Sequence, residues 1–173
     1  RQLLDPNGPD VKKYTVRKGD SWIRMVRKLG CSQAMVVHLN GLMDIPALRA
    51  GDVFKYRPLD FHVVVNVPEQ EICLYDGTDF VKGYPILSMK DGGKKNVETT
   101  VKDEQAPVSI YSRQFPSADK TLVLAAGGYV IDAARGTPRS PGFYLSRQDC
   151  NELAMLTRPG TKVTILRGKG EEP

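Results

Sequence analysis

Five side chains carry the usual means of nucleophilic chemistry: the thiols Cys31, Cys73 and Cys150 and the imidazoles His38 and His62. A cysteine nucleophile needs a thiolate and a base to generate it. Cys150 falls inside a predicted helix starting at Arg147 or Asp149 and ending at Leu156. Cys73 alternates within a predicted strand, Glu71 to Tyr75, so both read as small buried residues. His38 sits in a helical stripe and His62 in a strand, and no Cys–His pair can be assembled from them. Ser140 or Ser146 would need a base that is not visible. Arg135, Arg139 and Arg147 gather in a short stretch; they could hold a carboxylate, and they read more simply as solvated loop residues. Three cysteines are too few and too scattered for a disulfide scaffold or a zinc site. No metal or other cofactor is implied, and at most one cysteine pair can bridge.

A second set of residues is defined by the elements around it. Tyr14, Thr15 and Val16 favour a strand, and Gly19-Asp20-Ser21 stops it while offering Asp20 or Ser21 as a helix N-cap. Trp22, Ile23, Met25, Val26 and Leu29 form an apolar stripe at helical spacing, with Arg24, Arg27 and Lys28 opposite and Gly30 as a stop. Ser32 caps a second helix through Met35, Val36, Val37 and Leu39, ending at Asn40-Gly41. Gly51 to Tyr56 closes as a strand. With Lys-Tyr-Thr-Val-Arg-Lys-Gly-Asp-Ser, Leu39-Asn40-Gly41-Leu42 and Ala50-Gly51-Asp52-Val53, this stretch resembles a LysM module, a small carbohydrate-binding unit of cell-wall proteins.

The resemblance implies paired strands with both helices on one face, and a shallow sugar groove between two loops. By position those loops are Gly19, Asp20 and Ser21, and Leu42, Met43, Asp44 and Ile45. Loop backbone can hydrogen-bond the amides of N-acetylated sugars, and Leu42, Met43 and Ile45 can cover ring or methyl faces. These apolar residues could equally close a small core, above all Ile45 and Leu48. Trp22 and His38 are expected to be structural.

Pro58 in Arg57-Pro58-Leu59-Asp60 marks a boundary. Phe61, Val63, Val65 and Val67 then alternate with polar positions, Glu71 to Tyr75 follows, and Asp76-Gly77 is a turn signal. Phe80 to Ile86 is the next strand, with further strands expected at Val108–Tyr111, Leu122–Ala125, Tyr129–Ile131 and Lys162–Leu166. The Gly- and Lys-rich run Asp91 to Asn96 reads as a mobile loop. One helix is expected, the one containing Cys150.

This order, with Val-Lys-Gly-Tyr-Pro-Ile and Pro159-Gly160-Thr161-Lys162-Val163-Thr164-Ile165, resembles the L,D-transpeptidase (YkuD-type) domain of bacterial peptidoglycan enzymes over roughly residues 61 to 167. Active members carry His-Gly-Thr and, further on, Ser-x-Gly-Cys-x-Arg. Here Arg135-Gly136-Thr137 stands in place of the first, with arginine where the base should be. Ser140-Pro141-Gly142-Phe143 stands in place of the second, the nucleophile position falling on Gly142 or Phe143. No alignment restores the cysteine. His62 is remote from the active groove in the family's layout.

At 173 residues, 40% apolar and 26% charged, the chain is long enough for two domains with real cores and is not disordered. Between Lys13 and Pro58 nine basic residues face three acidic ones, about +6 against +5 overall, so the positive charge belongs to the LysM-like part. That charge suits an anionic envelope polymer or a solvated face. Nucleic acid binding lacks the required basic–aromatic interleaving. No apolar run reaches membrane-spanning length, and the chain begins at Arg1, so an export signal could have been removed.

The expected fold class is α+β. A linker (1–12) precedes a small βααβ LysM-like domain (13–58); a mainly-β L,D-transpeptidase-like domain (59–168) with one C-terminal helix follows, then a tail (169–173). The expected function is peptidoglycan or chitin-like glycan binding in the cell envelope, periplasmic or extracellular, with a degenerate and non-catalytic second domain that could contact stem peptide or a cell-wall protein. The alternatives are an active transpeptidase or carboxypeptidase with a relocated nucleophile, and a secreted structural or interaction protein.

Overall fold

A computed structural model describes residues 3–168; the expected tail, 169–173, and the first two residues of the expected linker lie outside them. The described chain holds eleven strands and three α-helices. It divides into two compact units. One comprises the chain up to Leu59 together with Ala106–Ala118, the other Asp60–Gln105 together with the chain from Asp119 onward.

The first unit is built from strand β1 (Lys12–Thr15), helix α1 (Trp22–Leu29), helix α2 (Gln33–Leu39) and strand β2 (Val53–Tyr56), the two strands pairing antiparallel. The helix limits follow from capping. The Ser21 hydroxyl accepts from the Arg24 N–H, and Gly30, at φ 62°, takes the left-handed conformation that ends α1. Ser32 caps α2 in the same way by accepting from Met35 N–H. Met25, Met35 and Val36 are fully buried, and truncating either methionine to alanine is the kind of change that costs about 2–5 kcal/mol. Asn40 ties α2 to β2: its side-chain amide donates to the Val36 and Lys55 carbonyls and accepts from Lys55 N–H.

Residues 3–10, expected as a linker, are fastened to this unit instead. Leu3 is buried. The buried Arg57 donates to the Leu3 carbonyl at 3.3 Å and pairs with Asp10 at 3.1 Å, and a ring nitrogen of His38 lies 2.8 Å from the Leu4 carbonyl. A buried guanidinium must find acceptors, and this segment provides them.

Ala106–Ala118 is the second departure. Val108–Tyr111, expected as a strand of the larger domain, forms turns without a ladder partner, and Val108, Ile110 and Tyr111 are exposed. Beyond them the segment is a strap across the first unit. Ile45 N–H donates to the Arg113 carbonyl and Arg113 Nε donates to the Ile45 carbonyl, both at 3.1 Å. A short 3-10 turn, Phe115–Ser117, buries Phe115 and Pro116 and packs on α2.

The second unit is a nine-stranded mixed sheet. Its strands are β3 (His62–Asn66), β4 (Glu71–Asp76), β5 (Asp79–Pro85), β6 (Ser88–Lys90), β7 (Val97–Gln105), β8 (Thr121–Leu124), β9 (Val130–Ala133), β10 (Gly142–Leu145) and β11 (Lys162–Leu166). They lie in the order β5-β4-β3-β11-β7-β8-β9-β10-β6. The nine-residue β7 joins the halves: Val97–Thr100 pairs with β11, and after a register shift near Lys102 the remainder pairs with β8. Helix α3 (Arg147–Met155), capped by Ser146, buries Cys150, Leu153 and Ala154.

The run Asp91 to Asn96, expected as a mobile loop, is pinned at both ends. Asp91 pairs with the buried Arg167, and Asn96 Oδ1 accepts from the Arg167 and Gly168 N–H groups. The residues that hold it lie more than seventy positions away, which explains why its local composition reads as loose.

Candidate functional site

In the first unit a groove of about 840 Å3 runs beside α1, within the size range of small-ligand sites. It is lined by Ser21, Trp22, Ile23, Arg24 and Arg27 at and after the start of α1, by Ile45, Pro46 and Ala47 of the loop after α2, and by Ile110, Tyr111 and Arg113 of the strap. The Trp22 indole N–H donates to the Pro46 carbonyl at 2.8 Å, and its ring lies 5.1 Å from that of Phe54, tilted by 58°. Those two contacts fix the indole while leaving part of it on the groove. The loop after α2 is held from the other side by the two Ile45–Arg113 hydrogen bonds.

Of the seven residues placed in the sugar loops by position, Ser21 and Ile45 line this groove. Gly19, Asp20, Leu42, Met43 and Asp44 do not. Asp20 is occupied within its own loop: its carboxylate accepts from the Tyr14 hydroxyl at 2.6 Å and from Arg17 N–H at 2.8 Å, and these bonds hold it below the ordinary carboxyl range. Met43 points into water. Asp44 reaches the groove only through its 3.7 Å pairing with Arg113. Trp22, expected as packing, is both packed and groove-lining. Arg24, Arg27, Pro46, Ala47, Ile110, Tyr111 and Arg113 were not anticipated as site residues. The charged face of α1 is the sequence signal that could have found the first two; nothing local marks the strap.

In the second unit, the positions matched to a catalytic region do not converge. Arg135, Gly136, Thr137 and Ser140 lie on exposed loops. Gly142 and Phe143 are inside β10, which is buried along its whole length between β9 and β6. A Cβ on Gly142 would run into the Val130 carbonyl oxygen. Phe143 is 0% exposed and stacks on Tyr129, ring centroids 5.8 Å apart.

The expected arginine cluster is answered from within the chain. Arg147 Nε contacts both oxygens of Asp119 at 2.8 and 2.9 Å, and Arg135 approaches the same carboxylate at 4.0 Å. Hydrogen bonds from Asn151 and Arg147 hold Asp119 below the usual carboxyl range. Arg139 stands apart, its carbonyl accepting from Lys90. All three cysteines are buried and none is in a disulfide. Burial pushes the Cys73 and Cys150 thiols up to about 12, with Glu71 adding to the rise at Cys73. The Cys150 thiol donates to the Lys120 carbonyl at 3.3 Å. His62 stacks on Tyr75 and borders a second groove of about 760 Å3, lined by Glu98, Lys162, three threonines and small apolar residues but by no thiol. Among the described residues no group of three or more His, Cys, Asp or Glu is placed to hold a metal, and no helix is long and apolar enough to cross a membrane.

No family model matches this sequence, and no curated protein matches it. Solved structures it is similar to include L,D-transpeptidases. One from Mycobacterium smegmatis is 8% identical, with a TM-score of 0.47 and 90% of each chain covered. A mutant L,D-transpeptidase from Enterococcus faecium is 12% identical, with a TM-score of 0.46, covering 90% of this chain and 74% of that one. L,D-transpeptidase 3 from Mycobacterium tuberculosis is 12% identical, with a TM-score of 0.45, covering 71% and 78%.

Proposed function

We propose that this chain is a glycan-binding protein of the bacterial cell envelope, with its first unit acting as a LysM-like module that engages peptidoglycan. The observation that carries the reading is the α1 groove, whose lining includes an anchored indole, Ile45 and Pro46 together with Ser21. That is the composition a sugar ring with N-acetyl groups requires, apolar contact with a few fixed polar groups. The strand–helix–helix–strand order supports the same reading.

The second unit is read as an L,D-transpeptidase-like domain that does not catalyse. At Gly142 there is no room for a side chain, Phe143 is sealed in the sheet, and the thiols of Cys73 and Cys150 are held protonated near neutral pH. None of these positions offers an accessible thiolate.

Trp22 is the sole tryptophan and lines the groove, so its fluorescence reports occupancy directly. Co-sedimentation with purified sacculi, together with a change in Trp22 emission on adding soluble glycan fragments, is expected. A protein that stays in the supernatant sinks the reading. Incubation with tetrapeptide-bearing muropeptides is expected to give no crosslinked product by mass spectrometry.

A further inference from the structure

The strap changes what the groove can recognise. Ala106–Ala118 adds Ile110, Tyr111 and Arg113 to a lining otherwise supplied by the start of α1 and the loop after α2. Tyr111 is 83% exposed, yet its backbone is held in a tight turn: Tyr111 N–H donates to Ser109 Oγ at 3.1 Å and Ser112 N–H to the Ser109 carbonyl at 2.8 Å. A large ring so placed stabilises the unit little and presents an apolar face with a polar tip to whatever enters.

The polar character of the groove is one-sided. Three guanidinium groups line it, Arg24, Arg27 and Arg113, and none of its lining residues is acidic. Arg24 and Arg27 are three apart on α1 and so share a face. Arg24 also lies in the first turn of the helix, where the dipole disfavours a cation and no acidic residue offsets it. Arg113 spends one of its five N–H donors on the Ile45 carbonyl, and its pairing with Asp44 is long and exposed, 3.7 Å with side chains 68% and 44% accessible. Such a pair is worth little. Three cationic residues in one largely apolar lining, with no acidic residue among them, fit a ligand that carries its own anion.

We infer that the groove selects a carboxylate-bearing glycan, one sugar ring stacking on Tyr111 while Arg24, Arg27 and Arg113 hold the carboxylate. The inference rests on the glycan-binding reading and narrows it from N-acetylated sugars in general to acidic ones. In peptidoglycan the carboxylate has two sources, the lactyl group of a muramic sugar that carries no stem peptide, and the stem peptide itself.

Three probes of equal length, followed by Trp22 fluorescence, test it: a neutral chito-oligosaccharide, a peptide-free oligosaccharide with free lactyl carboxylates, and the same oligosaccharide bearing stem peptides. An acidic probe is expected to bind about tenfold more tightly than the neutral one. Preference already present in the peptide-free probe assigns the lactyl carboxylate, and preference appearing only with peptide assigns the stem. Raising the salt should narrow the ratio. The Arg24→Gln/Arg27→Gln double variant should bring it toward one, and Tyr111→Ala should weaken all probes by about fivefold. All three positions are solvent-facing, and far-UV circular dichroism checks that the fold is kept. Equal binding of the three probes, or a preference that survives the double arginine variant, overturns the inference and leaves the glycan reading standing. Binding of none of the three overturns both.

Discussion

Asp91 and Arg167, 76 residues apart, meet in a two-point ion pair of 2.8 and 3.0 Å with side chains only 5% and 7% exposed. The Tyr129 hydroxyl donates to the same carboxylate at 2.7 Å, and Arg167 lies over the Tyr129 ring. The pair thereby ties the segment before β7 to the end of β11, and Tyr129 links it to the stack on Phe143.

Asp91→Ala should therefore destabilise the second unit strongly. Removing one partner leaves a buried guanidinium without its carboxylate, a change worth about 3–5 kcal/mol. Burial raises the Asp91 pKa, but hydrogen bonds from Arg167, Tyr129 and Gly93 outweigh it, and the net shift is downward. A carboxyl depressed in the folded state contributes stability that is complete above its unfolded value, about pH 4, and is lost as pH falls through the folded value below that. Urea denaturation of wild type and variant at neutral pH and at pH values below about 4 checks both parts. A gap between the two proteins that stays constant into strong acid would contradict the electrostatic origin.

The thiols give a second expectation. Cys31, Cys73 and Cys150 are buried thiols outside any disulfide, and burial pushes Cys73 and Cys150 up to about 12, so a thiol reagent at about pH 8 should label none in the folded protein and all three in denaturant. Rapid labelling of Cys150 in the native state, lost in Cys150→Ala, would reopen the case for a relocated nucleophile.

What was legible in the sequence divides along the range of the interactions. The ends of α1 are written locally, in a Ser21 that accepts from Arg24 N–H and a Gly30 that can take a positive φ. The β3–β4 hairpin follows from alternation bracketed by turn residues. β7 escapes a periodicity reading because Val101 is its only buried apolar residue; a strand paired on both sides whose other residues are nearly all polar shows no apolar alternation. β10 was missed for the opposite reason: four residues, all buried, entered through Pro141-Gly142, are too short for any period to show. The strap departs most. Val108 to Tyr111 alternates like a strand, while the segment is tied down by two hydrogen bonds between Arg113 and Ile45, 68 residues apart, one between backbones and one from the Arg113 guanidinium to the Ile45 carbonyl. Of the candidate groove, Ser21 and Ile45 were accessible from motif positions; Tyr111 and Arg113 of the strap were not.

Gly142 is expected to resist every attempt to install a side chain. Its partner in the parallel β9–β10 ladder is Val130, whose carbonyl oxygen occupies the space a Cβ would need. The clash is with backbone in the interior of a sheet, so it cannot be relieved by rotating a side chain. Gly142→Ala should cost about 1–3 kcal/mol from overpacking, read as a lowered thermal midpoint. Gly142→Cys should be at least as destabilised and should yield no transpeptidase activity. A Gly142→Ala protein as stable as wild type would mean that β10 and β9 are not so closely apposed.

Glu104 should give the second unit an unusual pH dependence. Burial pushes its carboxyl up to about 8, against the opposing pull of Lys120 and of the Thr157 hydroxyl, which donates to it at 3.4 Å. Because the folded state keeps this proton to higher pH than the unfolded chain, where the group titrates near 4.5, the folded form binds more protons throughout that interval. Stability must then fall as pH rises from about 4.5 to about 8 and level off above. Lys120 is lowered from 10.5, first by burial; it works in the opposite sense, at the alkaline end. Denaturation midpoints at several pH values should show wild type losing on the order of 5 kcal/mol across the interval, and Glu104→Gln, which cannot titrate, flattening that decline. If the variant declines as steeply as wild type, the proton is held elsewhere. A decline confined to wild type locates it on Glu104, in the half of β7 that pairs with β8.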